Sequence, residues 1–281
     1  ERCINSILSQ SYNNYEIIVV NDGSTDKSYD LVEHYSDSRI SIINQENKGV
    51  SVARNQGVKF SNYDYVTFID ADDTWEVNYL FELKKLINIF PNAGLYGLNN
   101  YFKYANGSKY FNEYNELFNG NISGLIPDYF LLFSKYGKSP FSNSNCCFPK
   151  NVFLEEGGYQ EGVKLTEDSD LWCRIALNYS IAFYRKPMAT YYIEINENTR
   201  SLVQFSDYQI TQTLIKSLNK NLVPKKFKNS VFELIVFQQL SLVKKLILNG
   251  YKIEALKNLF KKNILKHRFF YFIFLVFIIF F

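Results

Sequence analysis

The sequence predicts an α/β fold, a mainly parallel sheet with helices on both faces, followed by a C-terminal helical extension. Three observations lead there. Short apolar runs alternate with amphipathic stretches through the first hundred residues. The connections between those runs are long enough for the helical crossovers that parallel strands require. From about Ser206 onward, apolar residues recur at helical spacing, with Ile215, Leu218, Phe232, Ile235 and Leu240 marking the apolar faces. The 281 residues, 47% apolar and 17% aromatic, supply surface for one large core with an appendage or for two modest domains. With 21% charged residues, a disordered chain is excluded. A net charge of +3 excludes a dedicated nucleic-acid binder, and no nucleic-acid partner is expected. The four cysteines include the adjacent pair Cys146 and Cys147 but no CxxC or zinc spacing, which points to a reducing compartment.

The elements follow in order. The chain opens in a helix marked by Cys3, Ile4, Ile7 and Leu8. Glu16 to Val20 is a short strand ending in the turn cluster Asn21-Asp22-Gly23-Ser24, after which Ser24-Thr25-Asp26 caps a helix through Leu31, Val32 and Tyr35. Ile40 to Ile43 is a second strand and Gly49 to Phe60 a helix. Tyr65 to Ile69 is a third strand, running straight into Asp70-Ala71-Asp72-Asp73. Tyr101 to Phe111 alternates around Asn106-Gly107, a hairpin signal. Residues 181–195 read as further strands with a break at Pro187, and Pro224 and Gly250 mark turns between the later helices.

The two ends differ. No signal peptide is visible, and the missing initiator Met suggests a fragment. Phe269 to Phe281 is uninterrupted apolar sequence. As a helix it reaches about 20 Å, short of the roughly 30 Å hydrocarbon core, so it reads as a tail or as the first half of a span. Lys261, Lys262, Lys266 and Arg268 precede it and would hold that flank on the cytoplasmic side. Lys225, Lys226, Lys228, Lys244 and Lys245 add a basic face that is either solvated or set against anionic headgroups.

Three constellations carry candidate chemistry. The first is Asn21-Asp22-Gly23-Ser24-Thr25-Asp26, where a carboxylate at a strand end can accept hydrogen bonds from a base or ribose, or simply close a turn. The second is Asp70-x-Asp72-Asp73. Three carboxylates within four residues repel one another unless a cation such as Mg²⁺ or Mn²⁺ intervenes, the alternative being an acidic turn before the next helix. An EF-hand loop is excluded, because Trp75 takes the glycine position and Phe81 the final glutamate position. The third is Glu167-Asp168 at a helix start, either capping residues or a general base projecting into a cleft.

The series NDGSTD, NQENKGVSVARNQG, YVTFIDADD and a Gly157-Gly158-Tyr159 turn leading to TEDSDLWCRIA resembles the family 2 glycosyltransferases of the GT-A fold, from Glu1 to about residue 195. The resemblance is to bacterial members that build polysaccharides and cell-surface glycans. It implies a GT-A domain over 1–205, a helical extension over 206–268 and the hydrophobic tail 269–281. Asp22 and Asp26 would then serve the donor, with Lys48 in a donor-side loop and Arg54 near the nucleotide. Asp70 and Asp72 match the DxD pair, with Asp72 or Asp73 on a Mn²⁺ or Mg²⁺ ion and Asp70 nearer the ribose. Asp168 matches the catalytic base, with Glu167 beside it.

The implied activity is inverting transfer from a nucleoside-diphosphate sugar, a UDP-sugar by resemblance. The acceptor would be a glycan or lipid-linked hydroxyl, and the place the cytoplasmic side of a membrane surface. Two departures stand out. The first strand of the family would precede Glu1, and Tyr192-Ile193-Glu194-Ile195 stands where many members carry Tyr-Arg-x-His. Neither His34 nor His267 is placed to replace that histidine. Two rival readings remain open at this stage: a degenerate sugar-nucleotide scaffold without catalysis, and an aspartate-nucleophile phosphatase, whose hhDxDGT motif is approached by Phe68-Ile69-Asp70-Ala71-Asp72-Asp73-Thr74.

Overall fold

The computed structural model describes residues 1–193 and 208–259. Glu194, Ile195, His267 and the tail 269–281, with the four basic residues before it, lie outside the described residues. The chain divides into two compact units. One comprises 1–127 and 140–194, and the other comprises 128–139 with the C-terminal helical residues.

In the first unit, α1 (Arg2–Leu8) precedes β1 (Ile17–Asp22), α2 (Ser28–Glu33), β2 (Ile40–Gln45), α3 (Val50–Phe60) and β3 (Tyr65–Thr67). These match the expected alternation, with α2 beginning later and ending earlier than the apolar pattern implied. Then come β4 (Thr74–Trp75), α4 (Tyr79–Ile89), β5 (Ala93–Tyr104), β6 (Lys109–Tyr110) and β7 (Ser123–Leu125). After α5 (Tyr129–Tyr136), which belongs to the other unit, β8 (Cys146–Pro149), α6 (Lys150–Glu155), α7 (Glu167–Asn178) and β9 (Ser180–Ile193) complete it.

Strands β1 and β2 pair in parallel as a two-stranded sheet, and the larger sheet runs β3-β8-β5-β9-β4, with β6 added to β5 and β7 to β9. Its long axis is the parallel pair β5·β9, in register from Ala93↔Ser180 to Tyr104↔Ile193 with two shifts. The α/β class is as expected, and the pairing is mixed. Among the described residues β1·β2 and β5·β9 are parallel, while β3·β8, β5·β8, β4·β9, β5·β6 and β7·β9 are antiparallel. The β5·β6 ladder is the hairpin expected around Asn106-Gly107, whereas the other antiparallel ladders join segments remote in sequence, whose pairing no local periodicity encodes. Residues 181–193 form one strand rather than several, and Pro187 falls in the register shift between Leu98↔Tyr184 and Asn100↔Ala189, where a missing N–H costs no ladder bond.

Burial follows these assignments. The first eight residues of β5, Ala93 to Asn100, are all buried, as a central strand requires. Leu80, Leu83, Leu86 and Ile87 of α4 pack with Tyr96, Leu98, Ala182, Met188 and Ala189 on the sheet, and Cys3 and Ile7 of α1 join the same core. Trp75 stacks on Tyr79 with ring centroids 4.2 Å apart. All four cysteines are buried free thiols.

In the second unit, α5 is capped by Asp128, whose carboxylate accepts the Leu131 N–H at 3.0 Å, and ends at Gly137. Helices α8 (Gln209–Asn219), α9 (Lys228–Leu248) and α10 (Lys252–Leu259) follow. Leu242, Val243 and Leu246 of α9 form a core with Ala255 and Leu259 of α10, and Phe130 of α5 meets Phe227 edge-on at 5.5 Å. Among the described residues no helix is long and apolar enough to cross a membrane.

Gly97 on β5 has no room for a side chain, since a Cβ there would lie 2.1 Å from the Phe141 ring. Gly97→Ala is expected to destabilise the protein by about 1–3 kcal/mol through overpacking, read as a lower urea midpoint at unchanged slope.

Candidate functional site

Asp22 sits at the carboxyl end of β1, where a parallel pair presents ligands to solvent. Its Oδ1 accepts from Gln45 Nε2 at 2.6 Å and from the Lys48 N–H at 2.8 Å, and its Oδ2 accepts from the Gly49 N–H at 2.8 Å. Burial pushes this carboxyl up, but the three donors outweigh it and hold it below the usual carboxylate range. Asp22 therefore fixes the loop that leads into α3, with a lone pair of Oδ2 left for one further donor. Lys48 enters this arrangement through its backbone. Asp26 is exposed and closes a local turn by accepting the Ser28 N–H at 2.9 Å, just before α2. Ser24 does not cap that helix; its N–H is bound by Asn21 Oδ1 at 3.0 Å.

The acidic turn after β3 separates its three carboxylates. Asp70 is half-buried, Asp72 is exposed, and Asp73 is fully buried. Ser144 holds the turn together. Its hydroxyl accepts the Asp70 N–H at 3.0 Å and donates to Asp73 Oδ2, while its carbonyl accepts Trp75 Nε1 at 2.6 Å. The Tyr192 N–H reaches Asp73 Oδ1 at 3.1 Å. Asp73, expected beside Asp72 as a metal ligand, is instead turned into the protein interior, each of its oxygens accepting one internal hydrogen bond. Burial pushes its carboxyl up to about 7, against the hydrogen bonds from Ser144 and Tyr192 and helped by the negative charge of Asp70 and Asp72. Among the described residues no group of three or more His, Cys, Asp or Glu is placed to hold a cation. Tyr192, where the departure from the Tyr-Arg-x-His pattern begins, lies beside the acidic turn, and Arg2 covers its ring at 3.6 Å.

Arg54, in the first half of α3, joins this turn to the third constellation. Its Nη2 donates to Asp70 Oδ1 at 2.8 Å and its Nη1 to Glu167 Oε1 at 3.3 Å, with a side chain only 12% exposed. Burial opposes its charge, but Asp70, Tyr159 and Glu167 hold it firmly protonated. Glu167 and Asp168 open α7 immediately after Thr166, a β-branched residue at φ 65° whose hydroxyl is buried without a partner. Such a conformation costs about 1–3 kcal/mol and persists where the surroundings impose it, most often at functional sites. Burial raises both carboxyls, that of Glu167 further through Asp168 and that of Asp168 further through Asp70. The Ser169 N–H binds Asp168 Oδ1.

The turn before α7 is anchored from below. Asp170, fully buried, pairs with Arg174 at 2.9 Å, and Arg174 also binds the Glu156 and Gly158 carbonyls. Asn55 of α3 clasps the Tyr159 backbone on both sides, at 2.8 and 2.9 Å. Gly158 is at φ +62°, and a Cβ there would lie 2.7 Å from Asn55 Oδ1, so no other residue fits the clasp.

The predicted residues Asp70, Arg54, Glu167 and Asp168 are thus brought to one place, with Asp72 on the same turn as Asp70. Asp22 and Lys48 lie at the carboxyl end of the parallel pair β1·β2, and Asp26 belongs to a separate exposed turn. Ser144, Asn143 and Tyr159 are the residues sequence reasoning missed. The first two stand in Ser142-Asn143-Ser144-Asn145, a polar run with no motif, and only its unbroken burial at Asn143, Ser144 and Asn145 sets it apart.

Comparison with known proteins gives the family and the fold. The sequence pattern of "Glycosyl transferase family 2" matches residues 1–153. The chain belongs to that family. It is 49% identical over 88 residues to glycosyltransferase GlyA of Streptococcus pneumoniae, covering 31% of this chain and 13% of GlyA. It is 25% identical over 221 residues to an uncharacterized glycosyltransferase of Rickettsia bellii, covering 75% of this chain and 30% of that protein. The chain thus spans less than a third of these curated relatives. In fold it is similar to S. aureus TarS in complex with UDP-GlcNAc, with a TM-score of 0.62 at 17% identity over 91% of this chain and 84% of that one. It is also similar to the mannosyltransferase PcManGT of Pyrobaculum calidifontis in complex with GDP-Man and Mn²⁺, with a TM-score of 0.60 at 18% identity over 91% and 68%. The mixed sheet flanked by helices is the GT-A architecture of these structures.

The buried carboxyl of Asp73 has a measurable consequence. Its pKa is about 7 in the folded chain against 3.8 when unfolded. Between those values the native state holds more protons than the unfolded one, so stability falls as pH rises from 4 to 7. In chelating buffer, Asp73→Asn is expected to flatten that decline; a slope unchanged from wild type in urea titrations would show that another group causes it.

Proposed function

We propose that this chain is the donor-binding and catalytic part of an inverting glycosyltransferase. It moves a sugar from a nucleoside-diphosphate sugar, a UDP-sugar, to a hydroxyl of a glycan or lipid-linked acceptor. The observation that carries this reading is the Arg54 bridge, which sets the acidic strand end and the carboxylates of α7 around one site. Family membership supports the reaction type, and the UDP-GlcNAc and GDP-Man complexes of TarS and PcManGT support a nucleotide-sugar donor.

The donor set suits Mg²⁺ or Mn²⁺. Asp70 and Asp72 offer hard carboxylate oxygens two residues apart at a strand end, and such ions bind through one or two carboxylates together with substrate phosphate oxygens. Such a set needs no third protein ligand, and none is grouped with them among the described residues. When bound, the ion would supply Lewis-acid stabilisation of the departing diphosphate. Asp22, with its remaining lone pair, would accept from the base, Lys48 lines the same loop, and Arg54 adds positive charge near the nucleotide.

On the other side of the sugar, Asp168 takes the proton from the acceptor hydroxyl. The oxygen lone pair then bonds to the anomeric carbon while the bond from that carbon to the phosphate oxygen breaks, its electrons leaving on the diphosphate. Burial, which raises the Asp168 pKa, makes it a stronger base than a solvated carboxylate. Glu167 is less suited to the same step because Arg54 already engages it. One displacement inverts the centre, so an α-linked donor gives a β-linked product. The basic C-terminal sequence supports action at the cytoplasmic face of a membrane, in surface polysaccharide synthesis.

Asp168→Asn is expected to lower kcat by about 10²–10⁴-fold with donor binding intact; near-normal turnover in a transfer assay with a UDP-sugar panel would remove Asp168 from this role. Asp72→Asn is expected to abolish the dependence of UDP binding on Mn²⁺, measured by calorimetry. Equal UDP affinity with and without Mn²⁺ in the wild type would overturn the metal assignment.

A further inference from the structure

Arg54 would be expected to collapse onto one carboxylate, since a guanidinium pairs best with a single carboxylate through two parallel bonds. It does not: it is held between Asp70 and Glu167. The reason lies in Asn143, which none of the motifs includes. With its amide oriented to satisfy both neighbours, the Asn143 oxygen accepts from Arg54 Nη2 at 3.0 Å and from Nη1 at 3.1 Å, and its nitrogen donates to the Tyr159 hydroxyl at 2.6 Å. The planar guanidinium carries two N–H groups on each terminal nitrogen. The inner pair goes to Asn143, which leaves one outer N–H for Asp70 and one for Glu167.

The support is itself rigid. Asn143 is 5% exposed and Tyr159 1%. The Tyr159 backbone is clasped by Asn55, and its ring packs edge-on against Phe68 at 5.6 Å and Phe153 at 5.5 Å. The same ring lies 5.3 Å from the Arg54 guanidinium carbon. Buried hydrogen-bonded chains of this kind lock one geometry, because each member left unpaired is costly.

We infer that Asn143 is a positioning residue for transfer: backed by Tyr159, it divides Arg54 between the donor-side and base-side carboxylates and keeps Asp70 from being captured in a two-pronged ion pair. The inference deepens the transferase reading and rests on it for its consequence. Without Asn143, Arg54 swings onto Asp70 and competes there with a divalent cation, so binding of diphosphate with metal weakens while the fold survives.

The test has two readouts, made on the full chain. In protein labelled with ¹⁵N-arginine, with Arg54 assigned by its loss in Arg54→Lys, the terminal N–H signals of Arg54 are expected to be separate in wild type. They should merge in Asn143→Ser and stay separate in Asn143→Asp, which keeps an acceptor oxygen. In calorimetry with UDP and Mn²⁺, Asn143→Ser is expected to weaken binding about tenfold, and Arg54→Gln combined with Asn143→Ser should be no weaker than Arg54→Gln alone. Additive losses in that cycle, merged Arg54 signals in wild type, or separate ones in Asn143→Ser would each overturn the inference. Should Asn143→Ser fail to fold by near-UV circular dichroism, Asn143→Asp decides: a folded variant with merged signals overturns it, and one with separate signals and wild-type affinity upholds it. Wild type with the expected Arg54 signals but no UDP binding in Mn²⁺ would uphold the geometry and defeat the transferase reading instead.

Discussion

One guanidinium holds the candidate site together. The acidic turn after β3 and the first turn of α7 are about a hundred residues apart in sequence, and both bring carboxylates to the same buried guanidinium. Left to themselves, Asp70, Glu167 and Asp168 would repel one another and the turns would splay. Arg54 is the charge that lets them share a site. It is largely buried, so its pair with Glu167 is weakly screened, and removing it would leave Glu167 and Asp168 close together without a compensating charge.

The surroundings of that cation are built to keep it in place. Asn55, one residue further along α3, binds the Tyr159 backbone, so the helix that supplies Arg54 also fixes the turn leading to α7. Arg174 and the buried Asp170 secure the same turn from α7 itself. On the other flank, Ser144 and Asp73 form a second interior lock, in which a carboxyl without solvent anchors the turn that displays Asp70 and Asp72. Three acidic residues within four positions thus differ in setting: Asp73 anchors the turn from inside, while Asp70 and Asp72 keep access to solvent. Strain at Thr166 fits the same economy, since the left-handed turn there sets where α7 begins and hence where Glu167 and Asp168 emerge.

Much of this was legible beforehand. Strand-helix alternation marked β1, β2, β3 and α3 to within a few residues, because periodicity and turn chemistry are local properties. The acidic motifs identified Asp70, Asp72, Glu167 and Asp168 as candidates, because clustered carboxylates are hard to explain by stability alone. Less legible were the antiparallel ladders other than the β5·β6 hairpin, the single long strand β9 through Pro187, and the inward turn of Asp73. Each depends on a partner distant in the chain: β8 for β3, β5 for β9, Ser144 and Tyr192 for Asp73.

The sequence by itself determined which side chains carry charge, where strands end in acidic turns, and the family to which those turns belong, since spacing along the chain suffices for all three. Only the tertiary structure decided which carboxylates meet, which one is buried, and that Asn143 and Ser144, two amide and hydroxyl side chains without any motif, hold the meeting in place. The physical reason is that charge and periodicity are written residue by residue, whereas burial and hydrogen-bond partnership arise only when remote segments are packed against each other.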